Sequence, residues 1–275
     1  MTGRLILVAT PIGNLGDLSP RAVEVLAKAD VVACEDTRRT GRLLAHAGVS
    51  APRLLVVNEH TEKASAAEIA ELLVDGNMVA LVTDAGTPAV SDPGAKVVKA
   101  ALKIGGEVEA VPGPSAALAA LVVSGLPTGR FCFEGFLPKK GRPRAERIEE
   151  LARESRTMVL FEAPHRLART LGDLASALDR DRVVAIVREQ TKLHEEIWRG
   201  TLADAVARVE DIEPRGEYVL VVAGCPDPAP PSESQIRAAL DELLADGLSR
   251  RDAAAAVAAD LGVSRRAAYQ LSLRD

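Results

Sequence analysis

The chain reads as an α/β protein of two successive sheet-and-helix domains followed by a short all-helical one. Three observations carry that reading. Short apolar, β-branched runs alternate with helix-period segments through the first 112 residues; a Pro-Gly-Pro break follows and the alternation restarts; a proline-rich stretch then precedes a tail with helical patterning alone. The expected boundaries are 1–112, 113–226 and 233–275. A length of 275 residues, 47% apolar and 27% charged, suffices for more than one core.

In the first domain the strand runs are RLILVAT, DVVAC, RLLVV, MVALVT and EVEAV, with SPRAVEVLAKA and SAAEIAELLVD as helices between them. Ser19 followed by Pro20 reads as an N-cap and first turn, and Ser65 with Glu68 has capping-box spacing. The break VPGPSAALAALVVSGLPTG holds a helix of small residues between two turns. Beyond it RFCFEGF, TMVLFEA, RVVAIVRE, EEIWRG and EYVLVVAG read as strands, and HRLARTLGDLASAL and TLADAVARV as helices. Repeated proline makes CPDPAPPSES a linker, because it blocks both helix and sheet. In the tail Ser249 and Asp252 cap RRDAAAAVAADLG, and Gly262 turns the chain into SRRAAYQLSL. Two short helices about a glycine turn resemble a helix-turn-helix, and a plain helical pair packed on the body has the same spacing.

Composition excludes several classes. A net charge of −5 argues against a general nucleic-acid coat, and 3% aromatic residues leave few rings on which bases could stack. Cys34, Cys132 and Cys225 are far apart and form no C-x-x-C pair, so neither a disulfide framework nor a zinc site is expected. His46 sits in a helical run and is expected to face solvent; His194 is expected on a strand near Trp198; neither has metal-ligand spacing. The apolar run LILVA is too short for a signal sequence or membrane span. No metal and no membrane partner are expected, and the reducing cytoplasm is the expected location.

The stretch VTDAGTPAVSDPG, residues 82–94, cannot be core and cannot extend the strand before it. Its glycines, prolines, small polar groups and two carboxylates read as one wall of a ligand cleft, where open α/β sheets place ligands. The turn after the first strand, TPIGNLGDLSP, carries Gly13 and Gly16 but no G-x-G-x-x-G, and no phosphate-binding G-x-x-x-x-G-K-[ST] occurs anywhere. Nucleotide-phosphate chemistry is disfavoured.

VATPIGNLGDLSPRA, CEDTRRT, VTDAGTPAVSDPG, VPGPSAALAAL, FEGFLPKKGRPR, FEAPHRL, VREQTKLHEE and GEYVLVVAG, in this order, resemble the bacterial small-subunit ribosomal RNA cytidine 2′-O-methyltransferases of the tetrapyrrole methylase superfamily. The resemblance spans essentially the whole chain. It implies two α/β domains of the tetrapyrrole methylase type, a homodimer, and S-adenosylmethionine bound in the cleft between the domains. It further implies methylation of a cytidine ribose in the decoding region of small-subunit ribosomal RNA, with the assembled subunit as partner and the tail helping to engage it. Carried over by position, Ile12, Ala85, Gly86, Thr87, Val90, Ser115, Ala116, Glu162 and Gln190 contact the cofactor. Superfamily members that methylate tetrapyrrole ring carbons show G-x-G-P-G-D and G-G-D-P where this chain has TPIGN and AGTP. The RNA branch fits better.

Methyl transfer from a sulfonium is an in-line displacement that requires alignment and exclusion of water. A ribose hydroxyl is a poor nucleophile, so a group that accepts its proton is expected. Charged residues follow apolar strands in four clusters: Glu35, Asp36 and Arg38; Asn58, Glu59 and His60; Glu162, His165 and Arg166; and Arg188, Glu189 and Lys192. Asp36, beside Arg38 and Arg39, reads as a cap or ion pair, and His165 as a cap. Glu59 is the first candidate base and Glu35 the second. In KKGRPRAER, Lys139, Lys140, Arg142, Arg144 and Arg147 face a single Glu146 and read as an exposed loop for RNA phosphates. Two other functions remain open at this point: a tetrapyrrole C-methyltransferase, and a DNA-binding regulator whose α/β body senses a ligand. The tail's Arg250, Arg251, Arg265 and Arg266 are offset by Asp241, Glu242 and Asp246, which disfavours the regulator.

Overall fold

Each of the ten strand runs forms a strand. The structure, a computed structural model, describes residues 2–50, 53–226 and 231–273. In the first lobe β1 (Arg4–Val8), α1 (Pro20–Lys28), β2 (Val31–Cys34), α2 (Thr37–His46), β3 (Arg53–Val56), α3 (Glu62–Val74), β4 (Met78–Leu81), α4 (Ala95–Lys103) and β5 (Glu107–Val111) follow in order. The sheet order is β3-β2-β4-β1-β5 with every pairing parallel. Parallel strands need crossovers, and the helices cover both faces. Ala22 and Leu26 of α1 and Leu44 of α2 pack with Ile6, Val8 and Val32. Ile69 and Leu73 of α3 and Val97 and Ala101 of α4 pack with Leu5, Val79 and Leu81 on the other face.

That arrangement positions a site. Neighbouring strands β1 and β4 lead into helices on opposite faces, which opens a crevice at their carboxyl ends, the topological switch point where such sheets bind ligands. The turn after β1 and the loop after β4 close on each other there: Thr10 N donates to Gly86 O at 2.9 Å, and Gly86 N to Thr10 O at 3.1 Å.

The second lobe comprises α5 (Ala116–Ser124), β6 (Phe131–Phe136), α6 (Arg142–Ala152), β7 (Thr157–Glu162), α7 (Leu167–Leu178), β8 (Val183–Arg188), β9 (Glu196–Thr201), α8 (Leu202–Glu210) and β10 (Tyr218–Val222). Its sheet, β6-β7-β10-β8-β9, is mixed: only β6 and β7 run parallel. Side chains of β10 alternate between faces, as a period of two requires. Tyr218, Leu220 and Val222 face α6, α7 and α8; Val219 and Val221 face α5. The last helices, α9 (Glu233–Ala245), α10 (Arg250–Leu261) and α11 (Arg265–Leu271), have a core of their own in Ile236, Leu240, Ala253, Ala254, Val257 and Ala268. By contacts the chain divides into two compact units, 1–225 and 226–275, so both sheets belong to one unit.

Local signals resolved in particular ways. Ser19 caps α1, with Ala22 N donating to its hydroxyl at 3.1 Å, and Ser249 caps α10. Gly262 ends α10 in the left-handed region. Ser65 does not start a helix: α3 begins at Glu62, and the Ser65 hydroxyl donates to Val56 O at 2.8 Å. His194 lies in the turn before β9, not on the strand, whereas His46 is exposed as expected. The middle of the Pro-rich linker, residues 227–230, lies outside the described residues. Among the described residues no helix is long and apolar enough to cross a membrane.

Candidate functional site

A cavity of about 360 Å³ lies between the two lobes of the first unit, within the range of small-molecule sites. All nine positions expected at the cofactor line it. Ile12 comes from the turn after β1; Ala85, Gly86, Thr87 and Val90 from the loop after β4; Ser115 and Ala116 from the start of α5; Glu162 from the end of β7; and Gln190 from the loop after β8. Phe161, Val187, Tyr218 and Val219 supply an apolar floor from the second sheet.

Backbone conformation explains the residue types. Gly86 has φ 80°, the left-handed region that glycine enters without strain. A Cβ there would stand 3.4 Å from Ile12 Cγ2 and narrow the cavity between them. Thr87 Oγ1 donates to Pro114 O at 3.3 Å, which joins the loop to the Pro-Gly-Pro turn. Five non-glycine residues also have positive φ: Ser91 in the β4 loop lines this cavity, and Ala89, Glu189 and Thr191 are chain neighbours of the lining residues Val90 and Gln190. Such conformations cost about 1–3 kcal/mol each and persist where surrounding structure over-determines them.

The two lobes touch at these strained points. A Cβ on Gly13, in the β1 turn, would collide with Lys192 and Thr191 of the second lobe. Lys192 Nζ is itself held by Glu189 Oε1 at 2.9 Å and Glu217 Oε2 at 2.8 Å. Burial opposes the Lys192 charge, but the two carboxylates win and hold its pKa above the ordinary lysine value.

Glu162 is more than a lining residue. It is only 2% exposed, and its carboxylate accepts from Thr170 Oγ1 at 2.5 Å and from Ala163 N at 2.9 Å and pairs with Arg166 at 3.3 Å. The network continues into the region expected to be a free basic loop, and here the expectation needs correction. Arg144 is 3% exposed, donating to Thr170 Oγ1 and Asp173 Oδ2 at 2.9 Å and to Pro138 O at 3.1 Å. Its donors are used inside the protein and cannot reach a phosphate. Residues Arg142–Ala152 form a helix, not a loop, with Arg144, Ile148 and Leu151 on its buried face. Arg147 is paired with Glu134 and Glu150. Lys139, Lys140 and Arg142 are the exposed cations of the group, and Arg142 pairs with Glu146 at 2.6 Å.

Neither candidate base lines the cavity. Glu59 is exposed in the turn before α3, where Asn58 accepts from the His60 and Thr61 amides at 3.0 Å. Glu35 stands behind the wall, accepting from Thr83 Oγ1 at 3.3 Å. Asp36 is the N-cap of α2 and pairs with Arg38 at 3.3 Å, the structural role its neighbours implied. His165 lies in a short 3₁₀ turn ahead of α7. Asp92, one of the two carboxylates in residues 82–94 but not among the candidate bases, lines the cavity from the same loop as Gly86. Burial pushes its carboxyl up; the Thr83 hydroxyl opposes this, Glu35 and Asp84 reinforce it, and the result is about 6. Among the described residues no cluster of three or more His, Cys, Asp and Glu is arranged to hold a metal ion.

The profile of the family described as Tetrapyrrole (Corrin/Porphyrin) Methylases matches residues 4–206, and that of the RsmI C-terminal HTH domain matches residues 230–275. A Synechocystis protein named Ribosomal RNA small subunit methyltransferase I is 48% identical over 273 residues, 98% of each chain. A Mycobacterium tuberculosis protein of the same name is 44% identical over 276 residues, covering 99% of this chain and 95% of that one. Among solved structures, the methyltransferase CobJ superposes with a TM-score of 0.62 at 20% identity, covering 82% of this chain and 95% of that one. Uroporphyrin-III C-methyl transferase from Thermus thermophilus, complexed with S-adenyl homocysteine, gives 0.57 at 23%, covering 80% and 97%. These two likenesses carry the fold. With the first profile matching residues 4–206 and relatives similar from end to end, the chain belongs to the tetrapyrrole methylase family, in its ribosomal RNA small subunit methyltransferase I branch.

Proposed function

We propose that this chain is an S-adenosylmethionine-dependent methyltransferase that 2′-O-methylates a cytidine ribose in the decoding region of small-subunit ribosomal RNA. The observation that carries the reading is the convergence of nine positions from both lobes on one cavity at the switch point of the first sheet. Near-full-length relatives named as small subunit ribosomal RNA methyltransferases support the RNA substrate, and the tetrapyrrole enzymes share only the fold at 20–23% identity.

The cavity's chemistry suits the donor. Ile12, Ala85, Ala116, Phe161, Val187 and Val219 make apolar walls for an uncharged ring system, and the charged residues of the lining, Asp92, Glu162 and Glu217, are all acidic, which favours a cation over a phosphate. Nothing in it cradles a phosphate. In the proposed assignment Ile12, Ala85, Gly86, Thr87, Val90, Ser115, Ala116, Glu162 and Gln190 hold the donor. Bound there, it supplies an electrophilic methyl group. The chain aligns the acceptor oxygen, keeps water out through the closed β1 and β4 loops, and takes up the proton released.

The lobes 1–112 and 113–226 act as the two jaws of the donor site in this reading, and 233–275 engages the assembled subunit. Lys139, Lys140 and Arg142 bind RNA phosphates. We place the protein in the cytoplasm as a homodimer. Support for a dimer comes from α5, where Leu118 and Val122, one turn apart, are 51% and 69% exposed, an apolar stripe that a second copy would cover. Light scattering tests it, a dimeric mass being expected and a monomeric one contradicting it.

A further inference from the structure

Of the four phenylalanines only Phe136 is exposed, at 51%, and it lines the cavity between the lobes. Plain strand alternation would not put it there. Phe131 and Phe133 pack on the α5 side of the second sheet and Cys132 on the side of α6, α7 and α8, so an unbroken β6 would carry position 136 to the Cys132 face. The register shift between Phe133 and Gly135, with Gly135 at φ 59°, inserts one residue and returns Phe136 to Phe161, in an edge-to-face pair at 5.7 Å. Phe161 is propped in turn by Phe133 at 5.0 Å. Bulges re-aim side chains next to sites, and this one holds an aromatic ring at the cavity wall.

The ring is shared by a second cavity. Phe136 also lines a space of about 320 Å³ between the end of β6 and α6, together with Glu134, Arg147, Pro138 and Pro143. The Glu134 side chain is only 5% exposed, and both of its bonds from Arg147 fall on one oxygen, Oε2. Its other polar neighbour is the Cys132 thiol, a weak donor, so Oε1 keeps acceptor capacity. Glu146 and Glu150 add negative charge from α6, which makes the space unsuited to a phosphate. It suits a flat ring that carries an amino group. The exposed Lys139 and Lys140 lie between the two prolines, where phosphates flanking such a ring would run.

We propose that this second cavity binds the base of the nucleotide being methylated. Cytosine, turned out of the RNA stack, lies on Phe136, its amino group donates to Glu134, and Arg147 donates to its ring nitrogen or carbonyl. This rests on the methyltransferase reading and assigns the residues that select the nucleotide. The shared wall sets the geometry: a base on one side of Phe136 leaves its own ribose at the mouth of the donor cavity. Uracil carries a carbonyl oxygen where cytosine carries the amino group and would set it against the carboxylate.

The experiment measures methyl transfer from labelled donor to small subunits lacking the modification, with either cytidine or uridine at the target position. Wild type is compared with Phe136→Ala, Phe136→Leu, Phe136→Tyr and Glu134→Gln, and calorimetry with S-adenosylhomocysteine shows that each is folded. Phe136→Ala and Phe136→Leu are expected to lower kcat/KM for subunits by about 10- to 100-fold, the worth of one base stacked on a ring, with S-adenosylhomocysteine affinity within about threefold of wild type. Phe136→Tyr, which keeps the ring, stays within about threefold of wild type. Glu134→Gln reduces the preference for cytidine over uridine by about tenfold, because an amide both donates and accepts. The assignment is overturned if Phe136→Leu turns over as wild type does, if the losses are matched by weaker S-adenosylhomocysteine binding, or if Glu134→Gln leaves the preference unchanged. Absence of transfer by wild type to either subunit defeats the methyltransferase reading itself, and this assignment with it.

Discussion

Ser91 and Gly135 meet across the cleft: both have positive φ, 61° and 59°, and a Cβ on Gly135 would stand 2.9 Å from Ser91 Oγ. Gly135 follows a register shift in β6, so the second sheet offers bare backbone where the β4 loop of the first lobe arrives. Gly135→Ala is expected to cost about 2 kcal/mol, from left-handed strain plus displacement of Ser91. Gly172→Ala, in the interior of α7 with open space at its Cβ, should stabilise by about 0.5–1 kcal/mol. Thermal unfolding of the two variants checks the contrast; equal effects would contradict it.

Asp92 links the site to stability through pH. Its carboxyl titrates at about 6 in the folded chain against an ordinary value of 3.8, so the folded state binds the extra proton in between. Stability from this residue therefore falls as pH rises through that window. Asp92 is only partly buried, so the expected loss is about 1 kcal/mol after screening is allowed for. Asp92→Asn should then melt about 2–4 °C above wild type at pH 8 and match it at pH 4. An unchanged difference across that range would contradict the shift.

The cations near residue 140 should separate into two kinds. Lys139→Ala and Lys140→Ala are expected to weaken RNA binding and to lower the salt dependence of log Kd by somewhat under one for each phosphate no longer neutralised, with melting unchanged. Arg144→Ala should leave the salt dependence alone and destabilise by about 2–3 kcal/mol, because Asp173 and Thr170 are deprived of a charged donor. Salt titrations and denaturant unfolding on the same variants decide the matter.

The cavity is built wholly from residues 12–219, and the last three helices have a separate core. Removal of residues 226–275 is expected to leave S-adenosylhomocysteine affinity within about twofold of the full chain and to weaken engagement of the small subunit. Calorimetry and subunit co-sedimentation measure the two effects; abolished S-adenosylhomocysteine binding would contradict the division.

Much of this was legible in the sequence because strands and ligand loops carry local signals. The ten strands stand out as β-branched or aromatic runs between turn residues, and the loop after β4 announces itself by glycine and proline where a helix should begin. What stayed hidden depends on distant partners. A charge run does not reveal that Arg144 turns inward to Thr170 and Asp173, 26 and 29 residues away, although the spacing of Arg144, Ile148 and Leu151 is a helix-period clue. Ser65 has capping-box spacing, yet its hydroxyl is taken by Val56 O and the helix starts three residues earlier. Asp92 lies within the loop of residues 82–94, but its neighbours Glu35 and Thr83 come from the ends of β2 and β4, so its raised proton affinity exists only in the fold. Glu59 shares the strand-end signal and ends in solvent, because the turn after β3 lies away from the switch point.

At the centre stands the claim that the cleft between the two sheets presents a methyl donor to a ribose oxygen of the small-subunit RNA. Incubating the purified chain with methyl-labelled S-adenosylmethionine and small subunits lacking the modification, then mapping the label by nuclease digestion and mass spectrometry, tests it most directly. Label on the 2′-oxygen of one cytidine in the decoding region is the predicted result; label on a tetrapyrrole and none on RNA would contradict it.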